Sequence, residues 1–160
     1  MCLTCLLAGM PANGQDESLK INGPASGAIA QYLSTKTECL NPDKTGCTLA
    51  SIAMDTRVFY GKFPGDPAQF AIAFVTTDSG GSGANLMAIV LKADRSGTFS
   101  ITGRVEGIFG ADPRRVHFGA GHTFSYIGTV LGPEDSHANA TGKGRFKLTI
   151  GDIGVAFSSD

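Results

Sequence analysis

At 160 residues, with 42 % hydrophobic and 17 % charged residues, the chain has the composition of one globular domain able to bury a real core, and a second domain is not expected. Lysine and arginine number 13 against 14 aspartates and glutamates, a balance that leaves no footprint for nucleic acid or an anionic membrane surface. The 22 glycines follow no collagen or linker period and sit mostly between strand-like runs, as an all-β chain with many tight turns requires.

Residues 1–10 form a short apolar run, followed by Pro11-Ala12-Asn13-Gly14 and the polar Gln15-Asp16-Glu17-Ser18. This resembles the tail of a secretory signal peptide. Ala12 and Gly14 fit the narrow pocket of signal peptidase, with cleavage before Gln15, although a positively charged start is missing. The run is too short to span a bilayer, and Cys5 does not complete a lipid-attachment motif. The expected organisation is a truncated signal peptide over residues 1–14 and a single β-rich domain over 15–160, with a periplasmic or secreted location.

Residues 15–24 read as a lead-in ending at Asn22-Gly23-Pro24. Pro24 in a first turn, Ser26 as a cap, and Ile29, Ala30 and Leu33 at helical spacing predict one short helix over 25–35. Cys39 and Cys47 then bracket a turn-rich segment containing Pro42, Asp43 and Gly46. They are the cysteines left after cleavage, and in an oxidising compartment their simplest fate is a disulfide that restrains this loop. The alternatives are two buried thiols or half of a zinc site; zinc would need two further ligands, which no Cys-x-x-Cys or His-x-x-x-His spacing supplies.

Residues 57–63 predict a strand, ended by the strong turn signal Pro64-Gly65-Asp66-Pro67. Residues 69–77 and 85–93 are apolar on both faces and should lie centrally in a sheet. Residues 97–106 alternate instead, with Phe99, Ile101 and Val105 on one face and polar residues on the other, so this strand should lie nearer solvent. The connection 78–83 is a flexible hairpin loop, and Asp94-Arg95-Ser96-Gly97 a tighter one. Ala111-Asp112-Pro113 reads as a turn, followed by strand-like runs at 114–118 and 122–131. Residues 132–144 form a polar surface loop. Phe146, Leu148 and Ile150 alternate inward, and Ile153, Val155 and Phe157 suggest a last edge strand.

The order of these features, from Phe63-Pro64-Gly65-Asp66 through the Gly80–Gly83 loop between buried strands to Arg145-Phe146-Lys147-Leu148, resembles a group of uncharacterised bacterial secreted and lipoprotein β-rich domains over residues 57–148. Relatives in that group carry an acidic turn where this chain has the single Asp66, so a calcium site does not carry over. The resemblance implies an exported bacterial domain and no particular chemistry.

Asp78-Ser79-Gly80-Gly81 is similar to the nucleophile segment of chymotrypsin-like proteases. The chain is too short for their two barrels, and all three histidines follow the serine, whereas in that family the base precedes it. His117 and His122 flank a four-residue segment that would set them across a hairpin, and with His137 they form a candidate metal set. Arg104, Arg114 and Arg115 suggest an anion patch, with Glu106 and Asp112 close enough to make an ion-paired wet face instead. Phe124 and Tyr126 are candidate lining residues for a small apolar ligand, should the strands enclose a pocket.

These readings combine into a mainly β fold: an antiparallel β-sandwich or open barrel of seven or eight strands with one short N-terminal helix. No buried acid–base pair is in view, so the expected function is a non-catalytic exported binding or envelope-associated module. It would act through the loops 78–83 and 132–144 on a protein or small ligand, without cofactor, nucleic acid or membrane span. The alternatives are a small-ligand carrier or a histidine-based metal-binding protein.

Overall fold

In a computed structural model the described residues are 21–35, 56–78, 84–135 and 140–159. The expected signal segment, the cysteine pair Cys39 and Cys47, and His137 lie outside them.

Among the described residues the fold is mainly β, consistent with a sandwich: eight antiparallel strands in two sheets of four, with one short helix. Helix α1 (Ser26–Thr35) precedes β1 (Arg57–Gly61), β2 (Phe70–Asp78), β3 (Ala84–Ala93) and β4 (Phe99–Ile108), which pair in sequence order as the first sheet. Strands β5 (Ala111–Gly119), β6 (Thr123–Val130), β7 (Gly142–Gly151) and β8 (Gly154–Ser159) pair in the same way as the second. The chain changes sheet at Phe109-Gly110.

As their two-sided apolar runs predict, β2 and β3 are the central strands of the first sheet. Phe70, Ile72 and Phe74 of β2, with Leu86, Ala88 and Val90 of β3, face the second sheet and meet Phe124, Tyr126, Phe146 and Leu148 there. The opposite face carries Ala71, Ala73, Val75, Met87, Ile89 and Leu91, which pack against Ile29 and Leu33 of α1. The molecule therefore has three layers: helix, sheet, sheet.

Tyr60 fixes the start of α1. Its hydroxyl donates to the Asn22 carbonyl at 2.8 Å and accepts from the Ala25 N–H at 3.1 Å. Gly23, at φ +92°, passes so close that a Cβ there would lie 2.7 Å from that hydroxyl. At the other end, Ser34 and Thr35 donate their hydroxyls back to the Gln31 and Tyr32 carbonyls, each at 2.7 Å, satisfying acceptors the helix leaves open. Among the described residues, no helix is long and apolar enough to cross a membrane.

Two details depart from simple alternation. In β4, Phe99 and Ile101 pack on the helix side but Val105 packs between the sheets, because a register shift against β3 at Val90/Leu91 inserts a residue and flips the faces. In β5, Asp112-Pro113 lies inside the strand instead of forming a turn. Two register shifts against β6 absorb the irregularity, with Asp112 and Arg115 in left-handed conformations at φ +52° and +51°.

The two sheets meet at their margins through side chains, without strand pairing. Gly61 of β1 leaves room for the ring of Phe118, and Gly103 of β4 for Val155.

Candidate functional site

Short connections gather at one end of the sandwich, among them the β1–β2 turn and the β5–β6 turn, and here three charged or polar side chains converge. Asp66 follows Gly65 in a turn closed by its own N–H to the Phe63 carbonyl at 3.0 Å. Its Oδ1 accepts the Ala68 N–H at 2.9 Å, while Oδ2 accepts from Lys92 Nζ at 2.9 Å and His122 Nε2 at 3.1 Å. Phe70 lies under the Lys92 ammonium at 5.1 Å, and Phe63 stands edge-on to the imidazole at 5.2 Å.

The Asp66 side chain is 13 % exposed. The Ala68 N–H, then the hydrogen bonds from Lys92 and His122, hold its carboxyl well below the usual carboxylate range. A carboxylate so filled with donors is a poor base, and among the described residues no serine or threonine joins its hydrogen-bond network. What the arrangement does is bind the β1–β2 turn and β3 of the first sheet to the β5–β6 turn of the second. His122 sits at φ +52°, a conformation costly for a side-chain-bearing residue, and is retained there by Asp66 and by the Ile150 N–H on its carbonyl at 3.0 Å.

His117 and His122 do not face each other across the hairpin. Register pairs His117 with Ser125 and Gly119 with Thr123, so His117 projects from the outer face of the second sheet while His122 occupies the turn. Among the described residues no three His, Cys, Asp or Glu side chains are grouped to hold a metal ion.

Phe124 and Tyr126 are buried between the sheets. Phe118 lies 4.9 Å from Phe124; Phe74 and Phe146 lie 4.8 and 5.3 Å from Tyr126. Burial pushes the Tyr126 phenol well above its ordinary range, and its hydroxyl donates to the Phe109 carbonyl at 2.8 Å. Both rings are covered by other rings of the core.

At the opposite end lie the β4–β5 connection and the strand ends that carry the loops 79–83 and 131–141. The base of the second loop is held by Asp135, whose carboxylate accepts the N–H groups of Gly132 at 2.7 Å and Thr141 at 2.6 Å, and the Thr141 hydroxyl at 2.9 Å. Those donors draw its carboxyl below the ordinary value, the Thr141 N–H foremost. At the same end two large apolar side chains stand in water, Phe109 at 60 % exposure and Leu131 at 46 %.

The backbone under Phe109 is tightly held. Tyr126 fixes its carbonyl, and Gly110, at φ +93°, lies against the ring of Phe146 and the backbone of Gly128. Arg57 and Arg114 both engage Asp112 nearby, at 2.5 and 3.4 Å, and Arg104 pairs with Glu106 at 3.7 Å, as the wet-face reading expects.

Two features were not found from sequence. Asp66 shows only as a turn residue, since Lys92 and His122 are 26 and 56 positions away. The exposed Phe109 looks like any strand-end aromatic until its neighbours are in place.

Compared with known protein families, curated proteins and solved structures, the chain finds no match.

Proposed function

We propose that the protein is a non-catalytic, exported binding or envelope-associated module that engages a protein partner through the end of the sandwich carrying the loops 79–83 and 131–141. The observation that carries this reading is Phe109, exposed on a backbone that Tyr126 and the Gly110–Gly128 contact hold in place, with Leu131 at the same end. An aromatic anchor whose backbone is already ordered loses little entropy on binding, and such anchors dominate interface energies. The clasp of Asp135 on the loop base keeps the surrounding loop ends in register. Export rests on the N-terminal apolar run and its small-residue cleavage pattern.

The test is site-specific photo-crosslinking in the periplasmic fraction, with the probe at Leu131 and, as control, at Arg95 on the other end. A single partner captured from Leu131, lost on Phe109→Ser while the thermal midpoint is unchanged, is the expected result. Equal capture from both positions, or capture indifferent to Phe109→Ser, would refute the reading. Mass spectrometry of the same fraction tests export: a chain beginning near Gln15 and two hydrogens light is expected, and an unprocessed reduced chain would overturn it.

A further inference from the structure

The outer face of the second sheet is basic in a patterned way. On β7, Phe146 and Leu148 point into the core, so Lys143, Arg145 and Lys147 line the opposite face, exposed. On β5, Arg114 and His117 take the outward positions, opposite Ile127 and Ser125 of β6. Arg115, next to the inward Val116, is exposed as well.

Between these two rows runs β6, whose outward residues Ser125, Ile127 and Thr129 are shorter than the cations directly opposite them, Lys147, Arg145 and Lys143. The result is a trough with cationic walls and a partly hydroxylated floor. Its walls are two strand spacings apart, about 10 Å, and the cations of β7 follow one another at about 7 Å.

The positive charge is uncompensated. Asp112 is the one carboxylate on β5 to β8 among the described residues, and Arg57 and Arg114 already hold it. Arg115, Lys143, Arg145 and Lys147 have no ion-pair partner among the described residues. Four unpaired like charges on one face repel one another, in a chain whose net charge is −1.

We infer that this face binds a linear acidic polysaccharide, lying along β6 between the two basic rows. Two rows flanking a recessed floor match a line of charge better than a plane of headgroups, and the half-buried Ile127 is the one large apolar side chain on the floor. The Phe and Tyr rings of β5 to β8 pack inward and His117 alone presents a ring on this face, so the trough offers no row of platforms on which successive nucleic-acid bases could stack. Sulfate or carboxylate groups spaced along a sugar chain would meet the walls. The sugar hydroxyls would meet Ser125, while the Thr129 hydroxyl already accepts from Arg114 at 2.9 Å.

The experiment uses the full chain and a heparin-derived dodecasaccharide as probe, followed by isothermal titration at three salt concentrations. Binding is expected, weakening linearly in log–log form with salt. The triple variant Lys143→Gln, Arg145→Gln, Lys147→Gln should bind about 100-fold more weakly, and Arg115→Gln about five-fold, the usual contribution of a cation near an anionic surface. Arg95→Gln, in the β3–β4 turn outside this face, should bind as the wild type does. Circular dichroism and thermal midpoints confirm that the variants are folded; these positions are exposed, so no loss is expected. No binding by the wild type, or undiminished binding by the folded triple variant, overturns the inference. So does tighter binding to a twelve-nucleotide single strand, or to phosphatidylglycerol vesicles, at the same salt.

Discussion

Replacing Phe124 by alanine separates a filled interior from a ligand-lined one. The side chain is completely buried, edge-on to Phe118 at 4.9 Å, with Phe59, Phe74 and Tyr126 at 6.2, 5.9 and 6.3 Å. If those rings form the core, Phe124→Ala removes the transfer energy of a buried ring and opens a cavity that its neighbours cannot fully close. The cost is then about 3–5 kcal/mol, of which the edge contact with Phe118 supplies about 0.5–1.5 kcal/mol.

Against the ~5–15 kcal/mol stability of an ordinary domain this is a large fraction. It corresponds to a fall of roughly 6–20 °C in the thermal midpoint of a chain this size. Urea titration should show a lower midpoint with an unchanged slope. The new cavity, walled by aromatic rings, should take up benzene and regain part of the lost stability in its presence, whereas the wild type should not respond. A loss under about 1 kcal/mol would mean that the ring borders open space, and the description of Phe124 and Tyr126 as core would fail.

Asp66→Asn tests the clasp between the sheets. The folded carboxyl lies below its unfolded value, so its contribution is present above the ordinary carboxylate pKa of about 3.9 and is lost as the pH falls through the folded value. The gap in thermal midpoint between wild type and variant should be full at about pH 6 and narrow below about pH 4; a gap that ignores pH contradicts the assignment. Tyr60→Phe removes both hydrogen bonds at the start of α1 and should cost about 0.5–1.5 kcal/mol for each bond lost. Hydrogen exchange should show the opening confined to α1, with β6 and β7 unaffected. Gly128→Ala would set a Cβ into the backbone of Gly110, forcing the sheet-to-sheet connection away from β6 at about 1–3 kcal/mol. Gly27→Ala on the exposed side of α1 meets nothing within 4 Å and should gain about 0.5–1 kcal/mol, both read by denaturant titration.

Some of this architecture is legible because it depends on local pattern. The two-sided apolar runs of β2 and β3 announce central strands, and the spacing of Ile29 and Leu33 announces the helix that covers one of their faces. What escapes pattern reading depends on a partner. Val105 leaves the face of Phe99 only because β4 slips by a residue against β3, a property of the pair. Asp112-Pro113 carries turn chemistry, yet pairing with β6 on either side holds it within a strand at the expense of two left-handed residues. Periodicity also says nothing about which strands share a sheet, so the change of sheet at Phe109-Gly110, and with it the exposure of Phe109, emerges only in three dimensions.

The charge balance shows the same division most sharply, because a net charge is a sum and a surface is an arrangement. The acidic side chains with the most hydrogen bonds are spent on turns: Asp66 on Ala68, Lys92 and His122; Asp94 on the N–H groups of Ser96 and Thr98; Asp135 on Gly132 and Thr141. Their negative charge is absorbed where the chain reverses. The basic residues of β5 and β7 instead fall on outward positions, because their neighbours Val116, Phe146 and Leu148 are needed inside. An alternation selected for the core thus sorts charge by face, and near-neutrality overall coexists with a face of unpaired cations. Excluding polyanions on the sum alone would be sound only if acids and bases were dealt to the same faces, and here Asp66, Asp94 and Asp135 are used in turns and loop bases while the second sheet displays Arg115, Lys143, Arg145 and Lys147 without ion-pair partners among the described residues.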